Sequence, residues 1–265
     1  MDNLCPYCTS KKLITLGIKD NKKIRKCLRC HFIFMIPMPG SVKGYKLSES
    51  YKNIKKFKIG FKYNNEQILK HLKAFGLPKK GRILDVGCGT GHFIKIAEQY
   101  GYECYGNENA PDVEEFFDTE HLKRMYIGDF LNTYIPLDFF DAIVIIQTIE
   151  HLLDPLETIK KALTLLKKDS LLYIETPNFS SLGRKIRGMN WQNCFGGHLW
   201  YFTENNLKRL IKDAGGYSIK IWTFFKSLSL NSYGPIVHLI NTYINFIITP
   251  LGIGNTLACI VKRTF

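Results

Sequence analysis

The chain has 265 residues, 45% of them hydrophobic and 13% aromatic, with 37 Lys and Arg against 23 Asp and Glu. That length accommodates one large domain, with or without a small appendage, and the apolar fraction excludes wholesale disorder, collagen and coiled coil. The net charge of +14 is uneven: residues 1–80 carry 19 basic against 4 acidic side chains, and residues 81–265 carry 18 against 19. The basic segment suits an anionic partner, either nucleic acid, an acidic lipid surface or a phosphorylated substrate. Lys outnumbers Arg 29 to 8, however, whereas sequence-specific base readers favour Arg. The opening MDNLCPYCTS has no basic n-region followed by an apolar run, and no window of about 18 residues lacks polar groups. Neither a secretory signal nor a membrane span is expected, so the expected location is the cytoplasm.

The first element is a cysteine array, Cys5, Cys8, Cys27 and Cys30, spaced C-x2-C-x18-C-x2-C. Each two-residue gap turns both sulfurs of a knuckle toward one point, and four thiolates complete a tetrahedron around zinc. Between the knuckles Leu13, Ile14, Leu16 and Ile18 alternate loosely, as in a short hairpin. About forty residues bury too little apolar area to fold unaided, so the ion would supply much of the stability. A closed four-thiolate site has no open coordination position and is structural. His31 is the weaker competing ligand. Residues 1–40 are thus expected to form a zinc ribbon, and 41–80 a basic, partly helical linker or lid ending at the Pro78-Lys79-Lys80-Gly81 turn. The other cysteines, Cys88, Cys104, Cys194 and Cys259, are scattered, and core packing is expected for each.

Residues 82–100, RILDVGCGTGHFIKIAEQY, read as a buried strand over Ile83 to Val86, a bend at Gly87, Gly89 and Gly91, and a helix carrying Phe93, Ile94, Ile96 and Ala97. That geometry puts a ligand at the carboxyl edge of a parallel sheet. A dinucleotide fingerprint would place its third glycine at position 92, where His92 stands. Asp85 would also repel a pyrophosphate seated on the helix N-terminus, whereas it suits a phosphate-free ligand with a cationic amino-acid end.

From about residue 82 onward the sequence resembles the class I S-adenosylmethionine (SAM)-dependent methyltransferases, whose first motif this stretch matches. The resemblance implies that Glu108, in YGNENA, holds both ribose hydroxyls, and that Asp129, in IGDF, accepts the adenine amino group with Phe130 beside the ring. It implies that Cys88, Asn109 and Gln147 complete the cofactor site with Asp85 and the three glycines. The fold implied is α/β: a seven-stranded class I methyltransferase (Rossmann-like) sheet over 81–265, with a helical insertion near 230–252 and the small ribbon in front. The remaining patterns agree. Phe140 to Gln147 is a β-branched run suited to a central parallel strand. Asp154, Pro155 and Glu157 read as N-cap, N1 and capping-box Glu, with Leu156, Ile159, Leu163 and Leu166 on one helical face. Leu171 to Glu175 is a further strand; Thr203 opens a helix with Leu207, Leu210 and Ile211 inward and Gly215-Gly216 at its end; Tyr217 to Phe225 and Ala258 to Val261 close the sheet.

Methyl transfer to a hydroxyl needs a base near neutral pKa, and histidines at the carboxyl edge are the candidates. His151 and Glu150, in QTIEHLLDP, and His198, in GGHLWYF, are the expected catalytic residues, with Glu175 and Asn178 at the same edge. The ribbon followed by EHLLDP, ETPN and HLWYFT resembles a methyltransferase subgroup of bacterial sugar, polysaccharide and secondary-metabolite pathways. Related quinone O-methyltransferases share the EH element. The chain departs from the subgroup at Gly196-Gly197, where a Pro-Arg type pair is commoner. The resemblance implies a small-molecule or glycan acceptor. An RNA methyltransferase using the basic amino-terminal module and a quinone or lipid O-methyltransferase remain alternatives. Amino-directed base methylation does not, because Gln147-Thr148-Ile149 stands where a D/N-P-P-F/Y loop would be needed. A SAM-binding scaffold is the non-enzymatic alternative. The apolar Pro235–Ile248 stretch and the Lys52–Lys62 cluster suggest peripheral membrane contact. The acceptor atom and the oligomeric state stay open.

Overall fold

The computed structural model describes residues 3–39, 46–50, 58–226 and 249–263. Lys52, Lys55 and Lys56 lie outside these residues, as does Pro235–Ile248; of the insertion expected near 230–252, only 249–252 are described.

The amino-terminal hairpin forms as its alternation predicts. Strands β1 (Leu13–Lys19) and β2 (Lys22–Cys27) pair antiparallel through Asp20 and Asn21, whose φ angles of 48° and 59° suit a two-residue turn matched to strand twist. Strand β3 (Ile33–Ile36) pairs with β2. The short helix α1 (Leu47–Ser50) is held by Asp112, whose carboxylate accepts from the Leu47 and Ser48 amides at 2.8 and 2.9 Å. Helix α2 (Lys58–Ala74) buries Ile68, Leu69 and Leu72.

Alternating strands and helices follow: β4 (Arg82–Val86), α3 (His92–Gln99), β5 (Glu103–Glu108), α4 (Thr119–Leu122), β6 (Met125–Ile127), β7 (Phe140–Ile146), α5 (Pro155–Leu165), β8 (Leu166–Pro177), α6 (Leu182–Arg187), β9 (Trp200–Tyr201), α7 (Glu204–Asp213), β10 (Tyr217–Phe224) and β11 (Thr256–Lys262). Asp154 caps α5 by accepting from the Glu157 amide at 3.0 Å, but the Glu157 carboxylate turns to Lys160 at 2.7 Å rather than completing a capping box. The reciprocal box occurs at α7 instead, between Thr203 and Asn206. Leu166, expected on the α5 face, opens β8, because the chain extends at once into the strand.

The seven-stranded sheet has the order β10-β11-β8-β7-β4-β5-β6, parallel from β8 to β6 and antiparallel at β11 and β10, as the fold implied by the sequence requires. Its middle strand β7 shows why the run is apolar throughout: Ala142 and Val144 face the α2–α3 layer, and Ile143 and Ile145 face the α5–α7 layer. None of the described helices is long and apolar enough to cross a membrane.

The amino-terminal segment expected to form the ribbon, called the ribbon below, is not built from its own residues alone. A four-stranded sheet runs β1-β2-β3-β9, with Phe34 opposite Trp200 and Ile33 opposite Tyr201. Tyr7 stacks on Phe32 at 4.0 Å, Phe32 meets Trp200 edge-on, and Trp200 Nε1 donates to Leu152 O at 2.9 Å. One continuous core therefore contains Cys5, Phe32 and Phe34 together with Phe202 and Leu207. Tyr7 also donates to Asp213 on α7 at 2.5 Å.

Candidate active site

The glycine bend between β4 and α3 lies at the carboxyl edge of the sheet. Gly87, Gly89 and Gly91 have φ of 72°, 55° and 73°, values that side-chain-bearing residues rarely adopt. Two of them are also sterically required. A Cβ on Gly87 would come 2.4 Å from Thr148, and one on Gly91 would come 2.5 Å from the Phe117 ring. The bend hangs on β5 through Gly87 and Cys88 amides donating to Asn107 O at 2.8 and 3.0 Å. Glu108 braces it further: Oε2 accepts from Gly89 N at 2.8 Å, and Oε1 from Asn109 N and Ala110 N at 2.7 and 3.0 Å. Asp85 is only 4% exposed. Burial, with the Glu108 carboxylate adding repulsion, pushes its carboxyl up to about 8. No ion pair reaches it among the described residues. The bend is thus acid-lined on this side, while the Lys95 ammonium is turned to the Thr90 carbonyl at 3.3 Å.

The other expected cofactor residues fall along the same edge. Asp129 is exposed beyond β6, and its Oδ1 accepts from the Leu131 and Asn132 amides and from the Asn132 side chain. Phe130 is buried, with the Lys161 ammonium 5.1 Å from its ring centroid. Cys88 packs in the core with Phe93 and Ile94, leaving its main chain to the bend. Gln147 directly follows β7 with φ 52°, and its Nε2 donates to Glu175 Oε1 at 3.1 Å. That Glu175 oxygen also takes the Lys226 ammonium at 2.5 Å, and Tyr173 donates to Glu175 Oε2 at 2.9 Å. Lys226 was not marked by any sequence motif, because its partner lies 51 positions away. Asn178 is a structural side chain, donating to Gly252 O and Gly254 O at 3.2 and 2.8 Å.

Thr148 touches Gly87, and two residues later Glu150 and His151 begin a polar cluster that His198 joins. Glu150 is 1% exposed, with Oε2 accepting from Thr176 Oγ1 at 2.9 Å; burial lifts its carboxyl to about 7. His198 is 4% exposed; burial, and then repulsion from His151, drives its imidazole down to about 3. Burial lowers His151 as well. The rings of the two histidines lie 4.7 Å apart, edge to face. Sequence reasoning missed what orients them: His151 Nδ1 meets Gly197 O, and His198 Nδ1 meets Asn193 O, both at 2.9 Å. The ribbon fixes that loop through its hairpin, since Gly196 N donates to Asp20 Oδ2 at 2.7 Å and Lys22 Nζ donates to Gly196 O at 3.0 Å.

In the ribbon itself, Cys5 Sγ lies 3.5 Å from Cys30 Sγ and Cys8 Sγ 3.6 Å from Cys27 Sγ, all four within 4.8 Å of one another. A tetrahedral zinc with sulfurs at about 2.3 Å needs edges of roughly 3.8 Å, so the donor set fits the ion. His31 is exposed, outside the cluster, in a left-handed turn at φ 64°. The remaining cysteines, Cys88, Cys104, Cys194 and Cys259, are buried free thiols.

Comparison with known proteins gives this edge its context. The chain is 29% identical over 152 residues to the ubiquinone biosynthesis O-methyltransferase of Cereibacter sphaeroides, covering 52% of this chain and 62% of that protein. The corresponding enzyme of Glaesserella parasuis is 31% identical over 107 residues, covering 37% and 45%. Among solved structures, a SAM-dependent methyltransferase from Thermotoga maritima shares the fold with a TM-score of 0.58 at 21% identity, covering 82% of this chain and 98% of that one. The model of the family described as a methyltransferase domain matches residues 61–217. That span is more than half of the sequence, and it holds the bend, the acid-lined edge and the Glu150–His198 cluster: the chain belongs to the methyltransferase-domain family.

Proposed function

We propose that this protein is a SAM-dependent methyltransferase acting on a small molecule, a sugar, glycan or related biosynthetic intermediate. The observation that carries the reading is the buried Asp85 beside Glu108, two acidic side chains at a glycine bend with no ion-pair partner for either among the described residues. Phosphates would be repelled there, whereas an ammonium and a sulfonium supply the missing charge. When bound, SAM supplies a methyl carbon activated by positively charged sulfur, with a neutral thioether as leaving group.

The residues divide the work by position. Asp85 faces the amino-acid end, Glu108 takes the ribose hydroxyls, and Asp129 with Phe130 serves the base. Gly87, Cys88, Gly89 and Gly91 let the backbone approach closely, with Asn109 and Gln147 at the margins. The acceptor enters at the Glu150–His151–His198 edge, next to Thr148. There His151 is the half-buried member, and its Nε2 lone pair receives the acceptor's proton. The ribbon holds a structural zinc on Cys5, Cys8, Cys27 and Cys30 and, through Asp20 and Lys22, keeps the His198 loop in place. A quinol hydroxyl is the second acceptor class, favoured by the names of the curated relatives.

The test is a mass-spectrometric screen of nucleotide sugars, polar metabolites and quinols with labelled SAM. The expected result is one acceptor gaining a methyl group as S-adenosylhomocysteine appears in equal amount. Failure of the protein to retain either nucleoside in equilibrium dialysis would overturn the reading.

A further inference from the structure

Part of the surplus charge of the amino-terminal segment has a definite place in the fold. A cavity of about 690 Å³ opens where the ribbon meets the chain beyond the carboxyl end of β8, a volume within the range of small-ligand sites. Three separate elements bring cations to it: Lys26 from β2, Lys185 from α6 and Arg209 from α7. Neither lysine ammonium has a hydrogen-bond or ion-pair partner among the described residues. Arg209 engages only its Nε there, with Asp213 at 3.4 Å, and that carboxylate also accepts from Tyr7. The one carboxylate in the described lining, Glu204, is already paired with Lys208 at 2.5 Å. Like charges gathered in a concavity focus a positive field that an incoming anion relieves.

We propose that this groove binds a small diphosphate-bearing molecule, which ties the ribbon to the large domain. A ligand with a single carboxylate would answer only one of the three cations. A diphosphate carries several charges and enough oxygens to meet both lysines as point charges and the guanidinium as a fork. The Ser180 hydroxyl and the Asn205 amide add uncharged donors to the same lining. Glu204 and Asp213 lie before and after Arg209 on α7 and interrupt the positive surface. The groove therefore suits a compact polyanion rather than a long phosphodiester strand, which needs a continuous basic track.

None of the described lining belongs to the glycine bend or to the Glu150–His151–His198 cluster, so the site goes beyond the methyltransferase reading and does not rest on it. Lys26 sits in the ribbon and Arg209 on the helix that Tyr7 already reaches through Asp213. An anion engaging both is a second cross-link over the same seam, and by linkage it stabilises the docked ribbon in proportion to its occupancy.

Calorimetric titration of the full chain, purified with zinc present, with inorganic pyrophosphate tests the site. The expected result is one pyrophosphate per chain, with affinity falling as salt rises. Lys26→Gln, Lys185→Gln and Arg209→Gln should each weaken binding at least about fivefold. Lys160→Gln, exposed on α5 and outside the groove, should leave it within about twofold. An unchanged circular-dichroism melt reports that the variants are folded. Saturation with pyrophosphate should slow amide exchange over β1–β3 at least about threefold. Absence of saturable binding overturns the proposal, as does an equal loss in Lys160→Gln, which would mean diffuse surface charge. Binding no tighter than that of sulfate marks an adventitious ion only and overturns it too. Tighter retention of a short single-stranded RNA assigns the groove to nucleic acid instead, and pyrophosphate bound without slower ribbon exchange removes the tie across the seam; either overturns it. Pyrophosphate held here by a chain that transfers no methyl group leaves the site standing and sinks the methyltransferase reading alone.

Discussion

The ribbon and the glycine bend each hold an irregular loop in one shape, by opposite means. The bend is clamped from outside: its amides hang on Asn107, Glu108 braces Gly89, and Thr148 and Phe117 fill the space where glycine Cβ atoms would be. A continuous apolar sheet stands beneath it, so its geometry is present before any ligand arrives. The ribbon converges from inside on four sulfurs in facing pairs 3.5–3.6 Å apart, the donor set of the proposed zinc. Its strands are short, and its fourth strand is borrowed from beyond residue 199. Preorganisation in one region is a property of the core; in the other it would be the work of the proposed zinc.

Removing the ion is the strongest way to separate the two. Structural zinc in isolated zinc fingers contributes about 10–16 kcal/mol, so Cys27→Ser or stringent chelation is expected to unfold the ribbon hairpin. Asp20 and Lys22 would then release Gly196, and the His198 loop would lose its support. The expected outcome is loss of amide protection over β1–β3 and β9 and a fall in methyl transfer of more than about a hundredfold, about 2.7 kcal/mol in barrier. SAM binding, measured by calorimetry, should change less than about threefold. Cofactor binding that collapses along with the ribbon would mean the two regions are one unit.

Trp200→Ala tests the seam between them. The indole packs on Phe32 and Phe34 and donates to Leu152 O. Truncating a buried Trp costs about 3–5 kcal/mol, and it should appear in denaturant unfolding as a ribbon transition separated from that of the large sheet. A single shifted transition would show the seam to be as strong as either side.

Gly91→Ala perturbs the bend alone. The methyl group meets the Phe117 ring at 2.5 Å, and the residue must hold φ of 73°. Strain of about 1–3 kcal/mol is expected, read as a tenfold or greater loss of SAM affinity, with ribbon zinc content and amide protection unchanged.

How much of this was legible in the sequence follows the same division. The bend, its three acids and the Asp154-Pro155 helix start were readable because each is a local pattern whose geometry is set within a few residues. The capping box was placed at the wrong helix because Glu157 had a closer cation in Lys160, and Asn206 substitutes for the usual acid at α7. The ribbon's cysteines were legible, but its completion by Trp200 and Tyr201 was not, since pairing across 166 positions from Phe34 leaves no periodic trace. His151 and His198 lie together at the edge where residue type and strand position put them. Their tautomers were not legible, because main-chain carbonyls of Asn193 and Gly197 set them and carbonyls carry no sequence signature.

Proton linkage gives the mildest and most specific distinction between the two regions. Asp85 is raised to about 8 by burial and by Glu108, against a value near 3.8 in the unfolded chain. The folded apoprotein therefore binds more protons than the unfolded chain between about pH 4 and 8, and this group's contribution to stability falls as pH rises through that window. An ammonium set against Asp85 favours the carboxylate, so SAM binding expels the proton and tightens as pH rises. The expected gain is nearly tenfold in affinity from pH 6 to 7, with a turnover near pH 8, where the ligand's own α-amino group loses its charge. Asp85→Asn should flatten the profile and lower the affinity at pH 8. Calorimetry in two buffers of different ionisation enthalpy counts the released proton directly. A flat profile in the parent protein would mean that Asp85 does not meet the ligand's cationic end, and that the cradle's charge is answered elsewhere along the Glu108 edge.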